Sequence, residues 1–357
     1  MFGRCLHVKP TKAVVLAREP DRYDGGVAPA LLPVANRPLL RHALDWLDDG
    51  GIREVAIVAS AGIAAHAHDA AGDSSDWSFA ANWVIQRPGE SLGESLAALH
   101  GFTDDDPVVL HLADSLANQP LPRVLGDVDV DSLDAVVLTH DCEDSLAPVL
   151  DIRSRRCAQG ANPWPRLDRS MSAGVAVVGA DVLGTTVAFD AWPGRELNML
   201  AEHLSGIGGN VRTRRAEAWW RFREDADTLL EGNRFALERL TGERVEAELT
   251  DCVIQGSVSM HPSARLDSST VRGPVVIGAG AQLRSAYVGP FTSIGPNVLI
   301  EGAEVENSIV LAGASVTHLS MRLEGSVLGP SSRVFSDFQL PRAMRLNIGQ
   351  GAAVAVT

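Results

Sequence analysis

Residues 31–60 read LLPVANRPLLRHALDWLDDGGIREVAIVAS, and the pattern changes character twice within this stretch. Leu39, Leu40, Ala43, Leu44 and Leu47 recur at the spacing that puts them on one helical face, and Gly50–Gly51 supplies the stop. REVAIVAS (53–60) is then a short, largely apolar run suited to a buried strand, and KAVVLA (12–17) upstream is another. PVVLHLADS (107–115) and DAVVLTH (134–140) repeat the strand signal. Strands separated by helices predict a doubly wound α/β sheet, mixed or parallel. Ligands of such sheets sit beyond the carboxyl ends of the strands. That places the loop after Ala17 and the turn Ala113-Asp114-Ser115 at the expected site.

From about residue 250 the texture is different. Apolar residues such as Ile277 and Leu283, or Ile294 and Ile300, recur six apart with Gly, Pro, Ser and Asn between them. A six-residue beat with small corner residues predicts a parallel β-helix of about four coils. An antiparallel sandwich would show longer strands with period-two alternation. LLEGNRFALERLTG (229–242) reads as a helix leading into the coil, and the tail 336–357 carries no usable pattern. The division expected is an α/β domain over 11–240, a β-helix over 250–335 and the tail.

Length and composition bound the rest. The chain has 357 residues, 45% hydrophobic and 21% charged, which is a globular composition. No apolar run approaches the length of a membrane helix, and MFGRCLHVKPTK has neither an apolar core nor a cleavage site, so no secretory signal is expected. Cys5, Cys142, Cys157 and Cys252 are widely spaced, which fits a reduced cytoplasmic compartment without structural zinc. The net charge of −14 argues against nucleic-acid binding. Lys9 and Lys12 are the only lysines, so every other cation is arginine.

KAVVLA, LLPVANRPLLRHALDWLDDGGIREVAIV, the paired tryptophans 219–220 and the coil segment YVGPFTSIGPNVLIEGAEVENSIVL (287–311) resemble the sugar-1-phosphate nucleotidyltransferases. The likeness is to the long-form glucose-1-phosphate thymidylyltransferases, whose coil is a left-handed hexapeptide β-helix, and it covers roughly residues 11–335. It implies in-line attack of a sugar-1-phosphate oxygen on the α-phosphate of a nucleoside triphosphate, with Mg²⁺ and cationic side chains bringing the anions together.

Most of the residues that this chemistry needs are replaced. The glycine-rich loop GGxGTRL becomes REPDRYDGG (18–26), with Arg18 and Glu19 where the paired glycines belong. Gly25, Gly26 and Arg22 remain for a remodelled phosphate loop; the other reading is a surface turn. The motif lysine is Pro29, and Lys12 lies at the remote end of the first strand. Asp114 keeps the position of the metal aspartate, though an aspartate at a strand end also serves as a turn former. The second metal aspartate, in WWxDTG, is Phe222 of WWRFRE (219–224), with Asp225 and Asp227 close by. The sugar–phosphate clamp falls on Ala161-Asn162-Pro163. Gly174 of the Ala173–Ala176 strand could let a sugar approach, or be a neutral choice in a buried strand.

Carried over residue by residue, the site would be Arg22 as catalytic cation, Asp114 as metal ligand, Arg18, Gly25, Gly26 and Ser91 at the nucleotide, and Gly174 at the sugar. What folding requires persists, and what only the chemistry requires is mostly gone. The expectation is therefore a non-catalytic or very weak member binding a nucleotide, a nucleotide sugar or a partner, as a homo-oligomer or with an active paralogue. One alternative is an active, Mg²⁺-dependent transferase with a rebuilt site. The other is an assembly protein acting through the coil. His66-Ala67-His68-Asp69 reads as an exposed helix, because residues two apart face different ways. Cys142, and the coil histidines His261 and His318 as acyl-transfer bases, carry less than the family likeness.

Overall fold

The computed structural model describes residues 9–19, 27–71, 76–104, 106–125, 134–141, 170–189, 195–240, 244–245 and 247–336. They divide into two compact units between Arg239 and Leu240. In the first unit the strands are β1 (Lys12–Ala17), β2 (Pro33–Val34), β3 (Arg37–Pro38), β4 (Glu54–Ser60), β5 (Ala80–Gln86), β6 (Val108–Leu112), β7 (Ser115–Ala117), β8 (Ala135–Asp141), β9 (Ser170–Val178), β10 (Val211–Arg215) and β11 (Trp219–Arg221). The helices are α1 (Leu39–Asp49), α2 (Ala61–Ala71), α3 (Leu92–Ala97), α4 (Leu121–Leu125), α5 (Val182–Thr185), α6 (Glu196–Gly206) and α7 (Ala226–Leu237).

Seven strands form one sheet in the order β10-β8-β9-β6-β1-β4-β5. β9 runs antiparallel to β6 and β8, and the other pairings are parallel, so the sheet is mixed as expected. β1 lies inside the sheet and alternates its residues between two cores: Ala13, Val15 and Ala17 face one, Val14 and Leu16 the other. Both faces are covered, which is why KAVVLA has no polar alternation after Lys12. α1 buries Leu39, Leu40, Ala43, Leu44 and Leu47 and ends at Gly50, with Gly51 at φ 81°. The stretch read as one strand over 107–115 is two elements. β6 stops at Leu112, and after the turn at Ala113-Asp114 the chain pairs as β7 with β11 in a separate two-stranded sheet. The helix expected from residue 229 begins at Ala226, because Asp225 caps it by accepting from the Thr228 amide at 2.6 Å.

In the second unit parallel strands stack in three sheets, two of them six strands deep and one five, as in a parallel β-helix. The inward column Leu266, Leu283, Ile300 is in register at steps of seventeen residues, so three short strands complete one coil. Left-handed backbone recurs at the same step at Asp251, Ser268, Ser285 and Gly302, which is why the corners use small or polar residues. The stack is deeper than the four coils expected, because each coil takes seventeen residues and the strands run from Arg244 to Phe335. No helix among the described residues is long and apolar enough to cross a membrane.

One core residue has a consequence for stability. His111 on β6 is fully buried against Trp46, with ring centroids 5.3 Å apart. Nδ1 lies 2.8 Å from the Leu112 carbonyl, while Nε2 has no hydrogen-bond partner among the described residues. Burial pushes its pKa down to about 4 from the ordinary 6.5. Between those values the unfolded chain binds the extra proton, so folding stability falls as pH drops through this window and is retained above it. The expected loss from pH 7 to pH 4 is at most about 3 kcal/mol from this residue. Urea unfolding at the two pH values should show a clearly smaller drop in His111→Phe; an unchanged drop would assign the acid sensitivity elsewhere.

Candidate functional site

The site is built where the carboxyl ends of β1 and β6 lie side by side, joined by the Ala113 amide donating to the Leu16 carbonyl at 3.0 Å. Arg18 follows β1 and Asp114 follows β6. The Arg18 Nε donates to Asp114 Oδ2 at 2.8 Å. Across β7–β11, Arg221 is in register with Ser115, and the Phe222 amide donates to the Asp114 carbonyl at 3.0 Å. This brings Arg221 Nε within 3.4 Å of Asp114 Oδ1, an ion-pair approach, although Oδ1 accepts no hydrogen bond from the described residues.

Two further carboxylates complete the group. Glu196, in the first turn of α6, accepts from Arg221 Nη2 at 3.1 Å and lies 4.0 Å from Arg18 Nε. Glu224 Oε1 accepts from Arg18 Nη1 at 2.8 Å. The site is thus a buried ion cluster of two guanidinium groups and three carboxylates. The side chain of Asp114 is 1% exposed, those of Arg221 and Glu196 5%, Arg18 11% and Glu224 20%. Burial alone would raise the Asp114 pKa, but Arg221 and Arg18 overcome it and hold the carboxyl below its ordinary range. Burial likewise opposes charge on Arg18, and Asp114, Glu224 and Glu196 together raise its pKa above the usual arginine value. Both stay ionised at neutral pH.

The other expected residues fall into place around this cluster or away from it. Arg22, Gly25 and Gly26 lie outside the described residues, as do Cys142 and the segment 161–163. Ser91 caps α3: its hydroxyl accepts from the Glu94 amide at 3.1 Å, and Glu94 returns a bond to the Ser91 amide at 2.8 Å. Gly174 has φ 78°, and a Cβ there would stand 2.5 Å from Ser115 Oγ, so local packing already requires glycine. Lys12, at the opposite end of β1, donates to the Phe102 carbonyl at 2.8 Å and pairs with Asp104 and Glu54. Phe222 packs beside Trp220, with ring centroids 6.4 Å apart. Trp220 is buried, its Nε1 donating to the Thr228 carbonyl at 3.1 Å. Glu19 accepts from the Ser60 hydroxyl. In the coil, His261 contacts Ser263 and His318 contacts Glu301, both at the surface.

Sequence reasoning missed Arg221, Glu196 and Glu224. The available signal was a charged residue embedded in an apolar run: Arg221 directly follows two tryptophans, and Glu196 precedes the buried Leu197.

A mixed α/β sheet with helices on it, followed in the chain by a parallel β-helix, fits a nucleotidyltransferase fold. The chain's relatives support placing it in the sugar-1-phosphate nucleotidyltransferase family, with the thymidylyltransferase-like members. It is 28% identical over 337 residues to a Streptomyces antibioticus protein named glucose-1-phosphate thymidylyltransferase, covering 92% of this chain and 94% of that one. It is 29% identical over 338 residues to the Streptomyces griseus protein of the same name, again covering 92% and 94%. A Haloferax volcanii protein named as a nucleotidyltransferase of low-salt glycan biosynthesis is 28% identical over 339 residues, covering 90% and 92%. A solved Bacillus anthracis structure of a protein assigned as a glucose-1-phosphate thymidylyltransferase, in complex with a sucrose, aligns with a TM-score of 0.49 and 16% identity, over 65% of this chain and 97% of its own. No family model matches the chain.

Proposed function

We propose that this chain is a thymidylyltransferase-like protein that holds a nucleotide or nucleotide sugar without turning it over. The observation that carries the reading is the state of Asp114, whose two oxygens face Arg18 and Arg221. Mg²⁺ wants a near-octahedral shell of oxygens, and two guanidinium groups in contact with the carboxylate repel a divalent cation. Among the described residues no group of three or more His, Cys, Asp and Glu side chains is placed to hold a metal ion. The donor set therefore does not fit the magnesium site that the family chemistry calls for. Phe222 supplies no second carboxylate and Pro29 no cation. Loss of one transition-state donor typically costs about 10²–10³ in rate, so several such losses leave no practical turnover.

Ligand recognition, a cytoplasmic location and association through the coil, with a further copy or an active paralogue, belong to the same proposal. A second reading is an active transferase with a rebuilt loop, and the similarity to named transferases over nearly the whole chain favours it. Pyrophosphate release separates the two. With Mg²⁺, nucleoside triphosphates and a panel of sugar-1-phosphates, the first reading expects none above the no-protein control. Sustained release from the wild-type chain would establish the second.

A further inference from the structure

Glu224 is unlike the rest of the cluster. Its backbone is at φ 63°, a left-handed conformation that disfavours residues with a Cβ. Its side chain is the most exposed of the five, at 20%, and its carboxylate holds the outward arm of Arg18 at 2.8 Å. The Nε of the same guanidinium points to Asp114, which is 1% exposed. Arg18 also stands just past the carboxyl end of β1, within the sheet, where open α/β sheets take their ligands. A planar guanidinium fork that matches a carboxylate matches a phosphate as well.

We propose that Glu224 is a built-in anion occupying a phosphate position on Arg18, and that a phosphorylated small molecule gains this position by displacing the Glu224 carboxylate. The inference rests on the reading of the pocket as a nucleotide or nucleotide-sugar site, and adds which group the phosphate meets and what holds it off. Of the three carboxylates, Glu224 is the one that can be exchanged. Its partly exposed charge is rehydrated on release, whereas Asp114 and Glu196, 1% and 5% exposed, would stay buried with one guanidinium beside them in place of two. The exchange replaces one anion on Arg18 by another and leaves the Asp114 pair intact. A tethered carboxylate competes at an effective concentration in the millimolar range or above, so the wild-type site answers only to ligands with further contacts.

The test is a calorimetric titration of the full chain with inorganic pyrophosphate, comparing wild type, Glu224→Gln and Glu224→Gly. Both variants are expected to bind at least about tenfold more tightly than wild type, as removal of a tethered competitor requires. Adding Arg18→Lys to Glu224→Gln should abolish most of the gain, because the fork is lost. Glycine suits the left-handed backbone, so that variant reports even where the glutamine variant fails to fold. Folded variants with no gain overturn the proposal. A parallel titration of the wild-type chain with a thymidine diphosphate sugar keeps the two ideas apart. Binding there, with no gain in the variants, sinks the displacement and spares the nucleotide reading. A gain in the variants with no nucleotide binding by the wild type does the reverse.

Discussion

Asp114→Asn is expected to destabilise the fold by about 3–5 kcal/mol, the cost of breaking a buried ion pair from one side. Asparagine keeps the shape of aspartate and removes its charge, leaving Arg18 and Arg221 facing an amide in a site where Asp114 is 1% exposed and Arg221 5%. Glu196 and Glu224 remain, but each engages the guanidinium groups from another side. A carboxylate held for a metal behaves in the opposite way: it suffers repulsion from its fellow ligands, and its removal leaves stability unchanged or raises it. Urea unfolding midpoints decide between them. The variant should unfold well below wild type, and Arg18→Met added to it should recover part of the loss, since Glu224 can turn to water while one uncompensated cation is gone. An Asp114→Asn protein within about 0.5 kcal/mol of wild type, as surface changes give, would remove the ion cluster from the account.

Gly174→Ala is expected to cost about 2–5 kcal/mol from two separate sources. One is backbone strain at φ 78°; the other is overpacking, since the new Cβ stands 2.5 Å from Ser115 Oγ and 2.7 Å from Ser115 Cβ. The sources can be separated. Ser115→Ala leaves the Cβ clash and should not rescue the variant, while Ser115→Gly opens the space and should recover the packing part but not the strain. Thermal melts of the four proteins read this directly. If Gly174→Ala melts with wild type, glycine there answers to something other than packing on Ser115.

The sheet and the coil were legible because burial imposes short-range patterns. KAVVLA lies inside the sheet with both faces covered, α1 shows its buried stripe from Leu39 to Leu47, and Leu283 and Ile300 repeat because each coil places one residue inward at the same step. The coil length was less legible: the hexad beat describes one strand and corner, whereas stacking depends on the seventeen-residue register and on where the first strand begins. The loss of Pro29 and Phe222 as functional groups was also readable, since neither side chain carries charge. The ion cluster was not. Arg18, Asp114, Glu196, Arg221 and Glu224 come from four segments, and their pairing is fixed by the antiparallel contact of β7 with β11 and by the start of α6, neither of which leaves a local period. Asp114 illustrates the point: its position in the chain fits a metal ligand, and only its neighbours make it an ion-pair partner.

The most direct measurement is pyrophosphate release by the purified full chain at high protein concentration, with Mg²⁺, each common nucleoside triphosphate and a panel of sugar-1-phosphates. Asp114→Asn is run alongside, with its folding checked by circular dichroism. The expected result is no release above the protein-free control from either protein. Release by the wild type that disappears in a folded Asp114→Asn protein would contradict it, and would return Asp114 to the role of a catalytic metal ligand.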